Sequence, residues 1–459
     1  MLFSAEELNQ VLGSFAHTGV SGVAIDSRFV KQGELFFALR GENQDGHCFV
    51  PDAIAAGARL AVVERPMENM EDRCLVVKDS YKALCKLACY ARARCRGVVI
   101  GITGSVGKTG IKEALKSVLS ASGHVHASEK NFNNRWGVPL TLANLPKDAA
   151  YGLIEMGTNH HGEIRDLSTL TQPDGGILTC IGVGHTEFLG SLSGVAQEKM
   201  GIFQGIKSQG WAVFPADSPY FQVMQETAQA HKTRLITFGM HPEATVRLCD
   251  WSLGAKTSSV EVQIAGHRHR YTIPVPGEHW VLNSTCLLAV GQALSIPPEN
   301  IYGRLQTFSL PEGRGKSYQV RLPGGREILL LDESYNANPV SMRAALMLLG
   351  LHMPINEERR IAVLGDMGEL GDESDRFHEN LAPTIGKNTI DRIFCCGTLM
   401  QRLYTLLPEH RRGMWGACSK DLCAPLLEEL KTGDVVLIKG SASMHMKEIV
   451  QFLMHVEDR

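Results

Sequence analysis

The 459-residue sequence is short of several things, and each shortage removes a class of protein. No apolar run approaches the roughly 18 residues that a membrane span requires. Net charge is only −3, so no global field draws the chain to nucleic acid or to an anionic membrane. The first residues, MLFSAEELNQVLG, lack the basic start and the long apolar stretch of a signal peptide; Ser4 and Glu7 have the spacing of a helix capping box instead. The twelve cysteines are scattered, mostly in apolar segments (Cys85, Cys89, Cys180, Cys286, Cys395, Cys396), with no paired C-x-x-C motifs. That pattern excludes a zinc cluster or a disulfide scaffold and reads as a reduced, cytoplasmic protein with buried thiols. No internal repeat is visible. What is left is the composition of an ordinary globular protein, long enough for about two to four domains.

The most informative stretch is VVIGITGSVGKTGIKEALKSVL at 98–119. Val98, Val99, Ile100 and Ile102 form a short apolar run that reads as a buried strand. Ile111, Leu115, Val118 and Leu119 then recur on one face of a helix. Between them stand Gly104, Ser105, Val106, Gly107, Lys108 and Thr109. Strand, glycine-rich turn, Lys-Thr and helix are what a phosphate-binding loop needs. Glycines let the backbone approach the phosphates, and N–H groups at the helix start point at the anion. Lys108 adds a cation, and the Thr109 hydroxyl can ligate Mg²⁺. The strict pattern G-x-x-x-x-G-K-[ST] wants glycine where Ile102 stands; here T-G-S-V-G-K-T moves one glycine inward.

Around this stretch the chain reads as α/β throughout. Residues 1–84 look like a small α/β domain, with strands at Leu35–Leu39 and Leu60–Val63 and a helix near Pro51–Ala56. Residues 79–96 read as a helix leading into the phosphate loop. The central part, 85–312, alternates strands and helices as a parallel sheet does. Its strands include Tyr151–Ile154 and the near-continuous apolar run 175–184, and residues 245–275 suggest antiparallel strands at its edge. Pro276 to His279 reads as a turn before a helix over Asn283–Leu294. A third unit, 313–459, has four strand candidates: Ile328–Leu331, Ile361–Leu364, Ile393–Cys396 and Val435–Ile438. Three of the four end in a polar residue, Asp332, Asp366 or Lys439. In an open α/β sheet that edge is where ligands bind.

Glu155 and His185 each follow a strand of the sheet that carries the phosphate loop. Mg²⁺ takes oxygen ligands, so Glu155 is a candidate ligand, and His185 could serve a second metal. Read alone, Lys199 is a solvated helical lysine, and Arg28 and Asp45-Gly46-His47 are turn residues.

Taken together, these residues resemble the Mur ligase family, the ATP-dependent amide-bond-forming enzymes of peptidoglycan synthesis. The motifs are T-G-S-V-G-K-T, NFNN..GVP (131–139), E-M-G-x-N-H-x-G-E-I (155–164), D-E-S-Y-N-A-N-P (332–339), G-D-M-G-E-L-G (365–371) and K-G-S (439–441), and they span nearly the whole chain. The resemblance implies three α/β domains: a small N-terminal one, a central phosphate-loop ATPase-like one, and a Rossmann-like C-terminal one. Within the family, S-Y-N-A-N-P and G-D-M-x-E-L-G resemble the member that adds D-alanyl-D-alanine to UDP-N-acetylmuramoyl-tripeptide.

Roles follow from the same resemblance. Lys108 and Thr109 would take the phosphates and Mg²⁺, with Glu155, His185 and Lys199 as ligands for two metal ions. Lys199 matches the family's carbamylated lysine; an ordinary lysine, with pKa about 10.4, would repel Mg²⁺, whereas its carbamate is an oxygen anion. His279 and Asn283 fall in the adenine-side segment. Arg314, Asp332 and Asn336 approach ATP from the third domain, with Asn338, Lys439 and Ser441 near the incoming dipeptide. Asn134 lies in NFNN on the substrate side. Ser27, Arg28, Asp45 and His47 resemble the uridine-diphosphate motifs. The chain departs from the family pattern at Arg135, Trp280 and Ala442.

A monomer acting on small molecules is expected, with no nucleic acid and no stable membrane insertion. The Gly-rich join at 311–315 reads as a hinge, and a form open without ligand is expected. Two other readings stay open: a ligase of the same fold with another amino-acid substrate, such as a diaminopimelate-adding or folylpolyglutamate type, and a non-catalytic nucleotide-binding scaffold.

Overall fold

Short apolar strands alternate with helices along the whole chain, and in the computed structural model they assemble into three successive sheets. The structure describes residues 1–13, 16–41, 44–129, 132–182, 186–352 and 358–456. The expected capping box forms: Ser4 N donates to Glu7 Oε2 at 2.8 Å and Glu7 N to Ser4 Oγ at 3.2 Å. The first sheet holds four parallel strands in chain order: Val23–Ala24, Leu35–Phe37, Leu60–Val63 and Cys74–Val76.

The helix Ser80–Arg94 runs across residue 84 and joins two cores. Its Leu84, Leu87 and Ala88 are fully buried in one apolar cluster, with Phe3 and Leu35 from the first unit and Val138 and Leu142 from the second. Asn144 adds a polar pin. Its Oδ1 accepts from Val23 N and its Nδ2 donates to Val23 O, both at 2.9 Å.

The second sheet has nine strands. Across it run His267–Ile273, Ser258–Ile264, Val246–Leu253, Arg234–Gly239, Trp211–Pro215, Gly175–Leu178, Val98–Thr103, Tyr151–Glu155 and Val125–Ala127. Ser258–Ile264 pairs antiparallel with both of its neighbours, as the alternation at 245–275 implied, and the remaining pairings are parallel. Val98–Thr103 is central. Its neighbours are Gly175–Leu178 and Tyr151–Glu155, with Ile102 opposite Glu155 and Thr103 opposite Leu178. The carboxyl ends of three strands therefore converge where the glycine-rich loop begins.

Two expected boundaries are corrected. Of the apolar run 175–184, the described part is a strand only to Leu178, because residues in 179–182 use hydrogen-bonding groups on the phosphate loop; 183 and 184 lie outside the described residues. The helix expected from Asn283 begins at Glu278, after Gly277 at φ +105°, so His279 is in its first turn rather than in a preceding turn.

The third sheet runs Lys316–Leu322, Arg326–Glu333, Val435–Lys439, Arg360–Gly365, Arg392–Cys396 and Arg412–Gly416, with only the first pair antiparallel. The two edge strands add to the four read from sequence. Their signal is weak: only Val320 and Leu322 of Lys316–Leu322 are buried, and only Gly416 of Arg412–Gly416.

This unit lies against the second one. Glu187 N donates to Glu369 O at 3.5 Å, and a Cβ on Gly182 would stand 3.4 Å from Val340 Cγ2. The second and third units are thus docked against each other in this structure.

Candidate active site at the phosphate loop

The loop 104–109 depends on two glycines. Gly104 has φ +149° and Gly107 φ +86°, a backbone that side chains disfavour. A Cβ on Gly104 would sit 1.9 Å from Thr179 Oγ1. The segment after Leu178 braces the loop: Ser105 N donates to Cys180 O at 3.0 Å, and Ser105 Oγ donates to Gly182 O at 2.9 Å. Thr179 Oγ1 donates to Val106 O at 2.5 Å, and Val106 N to Cys180 Sγ at 3.4 Å.

The helix Lys108–Leu119 starts here, so its first N–H groups and its positive dipole end face the loop. Lys108 is half-buried, and its Nζ donates to Gly104 O at 2.6 Å. Burial pushes its ammonium below the ordinary value; Glu155 and Cys180 oppose that push, and the nearby charge of Arg314 adds to it. Thr109 faces the neighbouring strand end. Its Oγ1 donates to Glu155 Oε2 at 2.9 Å. Glu155 is buried, takes a second hydrogen bond from Asn133 Nδ2 at 2.9 Å, and has Lys112 Nζ 3.8 Å away.

Lys199 is not a solvated lysine. The helix Leu192–Met200 carries it fully inward, and its Nζ has no hydrogen-bond partner among the described residues. Burial first, and Lys108 second, lower its pKa from 10.5 to about 7. The preceding residue, Glu198, holds the helix in place by accepting from Gly162 N at 2.5 Å and Ile164 N at 2.8 Å. His185 lies outside the described residues.

On the far side of the loop, Asn283 Oδ1 is 3.0 Å from where a Gly107 Cβ would be. Beside it the Trp280 ring lies on the bare backbone of Gly110, where a Cβ would stand 3.2 Å from the ring, and it meets Phe308 at 5.3 Å between centroids. The departure at 280 is thus a buried packing residue. His279 is half-buried, its Nδ1 has no hydrogen-bond partner among the described residues, and burial lowers its pKa, with smaller effects from Glu333 and Lys439.

The third unit contributes a cluster at its own strand ends. Arg314 stacks on the Tyr335 ring, 3.8 Å from the centroid. Asp332 is buried and shapes the following turn, accepting from Gly313 N at 2.8 Å and Ser334 Oγ at 2.6 Å. Lys439, also buried, donates to Asn336 O at 2.9 Å and meets Glu333 Oε2 at 3.3 Å. Asn336 Oδ1 accepts from Ala442 N at 3.3 Å. Asn338 caps the helix Pro339–Leu351, and Ser441 Oγ is 3.1 Å from Ser443 Oγ.

The first-unit residues form a separate group. Arg28 pairs with Asp26 at 2.6 Å on the surface, beside Ser27 in a short 3-10 turn. Asp45 Oδ1 accepts from His47 N at 3.0 Å and lies 2.5 Å from His47 Nδ1; Oδ2 accepts from Arg65 at 3.0 Å. These bonds, the His47 backbone first, hold Asp45 well below the usual carboxylate range. His47 Nε2 accepts from Glu64 N at 2.8 Å, so Nδ1 carries the proton.

Sequence reasoning missed Asn133, Lys112, Glu198 and the brace 179–182. Asn133 was within reach, being part of NFNN. The neighbouring Asn134 instead caps the helix Gly137–Ala143, accepting from Gly137 N at 2.9 Å, beside Arg135 whose guanidinium lies 5.4 Å from the Trp136 ring centroid.

A glycine-rich loop between a central parallel strand and a helix, with a buried carboxylate on its threonine, defines a phosphate-loop nucleotide-binding enzyme of α/β build. Family models for the Mur ligase family catalytic domain, the Mur ligase middle domain and the Mur ligase glutamate ligase domain match residues 19–97, 102–291 and 320–442. The chain belongs to the Mur ligase family. It is 33% identical over 445 residues to UDP-N-acetylmuramoyl-tripeptide–D-alanyl-D-alanine ligase of Bacillus subtilis, covering 96% of this chain and 94% of that one. To the Escherichia coli protein of the same name it is 32% identical, covering 95% and 94%. MurF from Acinetobacter baumannii has the same fold at a TM-score of 0.87 and 30% identity, over 99% of both chains. The MurF ligase from Thermotoga maritima, in complex with ADP, gives 0.80 at 26%, over 95% of this chain and 98% of that one. Among the described residues no helix is long and apolar enough to cross a membrane.

Proposed function

We propose that this chain is an ATP-dependent ligase that joins D-alanyl-D-alanine to UDP-N-acetylmuramoyl-tripeptide in peptidoglycan precursor synthesis. The substrate pair is the one in the names of relatives that match nearly end to end. The observation that carries the reading is the Thr109–Glu155 contact beside the phosphate loop, 2.9 Å.

The loop N–H groups and Lys108 hold the ATP phosphates. His279 and Asn283 lie on the adenine side, and Arg314, Asp332 and Asn336 approach from the third domain. Residues 1–84 bind the uridine-diphosphate end through Ser27, Arg28, Asp45 and His47, with Asn134 toward the substrate. Residues 85–312 form the ATP domain, and 313–459 bring Asn338, Lys439 and Ser441 to the dipeptide. The tripeptide carboxylate takes the γ-phosphoryl group. The dipeptide amine then attacks the acyl carbon, a C–N bond forms, phosphate leaves and the amine proton is lost. Such transfer asks for positioning and charge neutralisation more than covalent help.

Mg²⁺ would be held by Thr109 and Glu155, with Lys199 as its carbamate and His185 serving a second ion. When bound, it neutralises charge on the transferring phosphoryl group. The support for the carbamate is the buried Lys199 Nζ, which has no hydrogen-bond partner among the described residues, and the pKa that burial lowers to about 7. The neutral amine that attacks CO₂ is then populated at neutral pH, and the product carbamate supplies an anion where the amine has no partner. ATP and a UDP-linked substrate place the reaction in the cytoplasm.

The test is phosphate release with UDP-N-acetylmuramoyl-tripeptide, with and without D-alanyl-D-alanine. Release that depends on both, with pentapeptide formed, is expected. Equal release without the dipeptide, or turnover with a different amino acid alone, would sink the reading.

A further inference from the structure

Lys112 is a buried cation that the mechanism above does not use. It sits three residues after Thr109, on the same face of the phosphate-loop helix. Only 1% of the residue is exposed. Burying an ammonium is costly unless it is paired and hydrogen-bonded. Its Nζ donates to Ser128 O at 2.6 Å and lies 3.0 Å from Glu113 Oε1 and 3.8 Å from Glu155 Oε2. Ser128 in turn accepts from Glu155 N through Oγ at 3.0 Å. Glu155 is therefore held at its backbone through Ser128 and balanced at its carboxylate by Lys112. Thr109 and Asn133 donate to the same carboxylate.

Among the described residues, no three His, Cys, Asp or Glu side chains gather in a metal-binding group. Among the described residues Glu155 is the one carboxylate that meets Thr109, and Lys112 opposes its charge. A divalent cation placed beside Glu155 meets the Lys112 charge in a buried setting, where charges are screened far less than in water. Glu113 offsets part of that charge, and Lys108, within electrostatic reach of Glu155, adds to it. The nucleotide's phosphates, added to the Lys199 carbamate of the proposed site, bring the negative charge and oxygen atoms that reverse the balance.

We propose that Lys112 is a positioning residue that orients Glu155 and keeps the empty site from holding a divalent cation, so that the metal enters with the nucleotide. This rests on reading Glu155 as a metal ligand. The test titrates Mn²⁺, followed by its paramagnetic resonance signal, into the full-length enzyme without nucleotide. Lys112→Gln keeps a donor for Ser128 O and removes the charge; Lys112→Met removes both. Both should bind Mn²⁺ at least about tenfold more tightly than the parent, a direction electrostatics requires. A folding defect weakens metal binding and cannot mimic that result. Lys112→Arg should bind as weakly as the parent, and adding Glu155→Gln to Lys112→Gln should erase the gain. No tightening in either neutral variant, or equal tightening in Lys112→Arg, overturns the proposal. The reading beneath it is checked separately: unchanged Mg²⁺-dependent turnover of Glu155→Gln would remove Glu155 as a ligand, whatever Lys112 does.

Discussion

Thr109 Oγ1 donates to Glu155 Oε2 at 2.9 Å, which ties the first turn of the phosphate-loop helix to the end of the adjacent strand. The two residues are 46 positions apart in sequence. They meet because Val98–Thr103 and Tyr151–Glu155 are parallel neighbours with Ile102 opposite Glu155.

Lys108 is half-buried and its Nζ donates to Gly104 O at 2.6 Å. Lys108→Ala should lower kcat by at least about 100-fold, the scale of losing a preorganised charge at a transferring group. The thermal midpoint should stay within a few degrees of the parent. Near-normal turnover would refute the phosphate-loop assignment.

Lys199 poses the opposite case, a residue whose removal should help the fold and end the chemistry. Its Nζ is buried and has no hydrogen-bond partner among the described residues. Lys199→Met should be nearly inactive yet more stable by on the order of 3 kcal/mol at pH 7, read from urea unfolding. Lys199→Ala should be inactive too, with activity partly restored by short-chain carboxylates, and depletion of bicarbonate should lower parental activity reversibly. A fully active Lys199→Ala enzyme would end the carbamate proposal.

The same lysine sets a pH dependence. Its pKa is about 7 folded against 10.5 ordinarily. Between those values the unfolded chain holds a proton that the folded one has released, so this group makes stability rise with pH from about 7 upward. Below about 7 both states are protonated and its penalty is at its full, constant size. Measured in bicarbonate-depleted buffer, where Lys199 stays an amine, the stability gap between Lys199→Met and the parent should therefore shrink from pH 7 to pH 8.5. A gap that stays flat across that range contradicts the lowered value.

Trp280 packs on Gly110 of the phosphate-loop helix and against Phe308, and only 5% of it is exposed. Trp280→Ala should cost about 3 kcal/mol, the usual size for emptying a buried aromatic site. Because the cavity lies under the loop, KM for ATP should rise as well. Unchanged stability would show that the ring is not a packing residue.

The join at 311–315 contains Gly313 at φ +73° and Gly315 at φ +101°. Third-unit residues belong near the phosphate loop in the docked arrangement, as the influence of Arg314 on Lys108 requires. Exclusion of water from an acyl phosphate demands that arrangement only while ligands are bound. Small-angle scattering should therefore show a smaller radius of gyration with ATP and UDP-tripeptide than without. An unchanged radius in a saturated, active sample would count against closure as the step that assembles the site.

Much of this protein is written locally. The glycines, the Lys-Thr pair and the apolar period of Ile111, Leu115 and Val118 specify a strand, a loop and a helix, because turn chemistry and periodicity act over a few residues. The capping box at Ser4 and Glu7, the antiparallel edge at 245–275 and Glu155 at a strand end are legible for the same reason. What the sequence alone could not determine is whatever depends on groups brought together from far apart. Nothing in Leu192–Met200 marks Lys199 as buried; its place follows from Glu198 being pinned to Gly162 and Ile164, more than 30 residues earlier. Asn133 rather than Asn134 reaches Glu155, since the helix Gly137–Ala143 uses the second asparagine as its cap. The run after Leu178 is as apolar as a strand, yet it leaves the sheet because the phosphate loop needs its carbonyls and hydroxyls as partners. Short-range pattern selects the elements, while long-range packing and hydrogen bonding decide which side chains are buried, which carry charge, and which of them face one another.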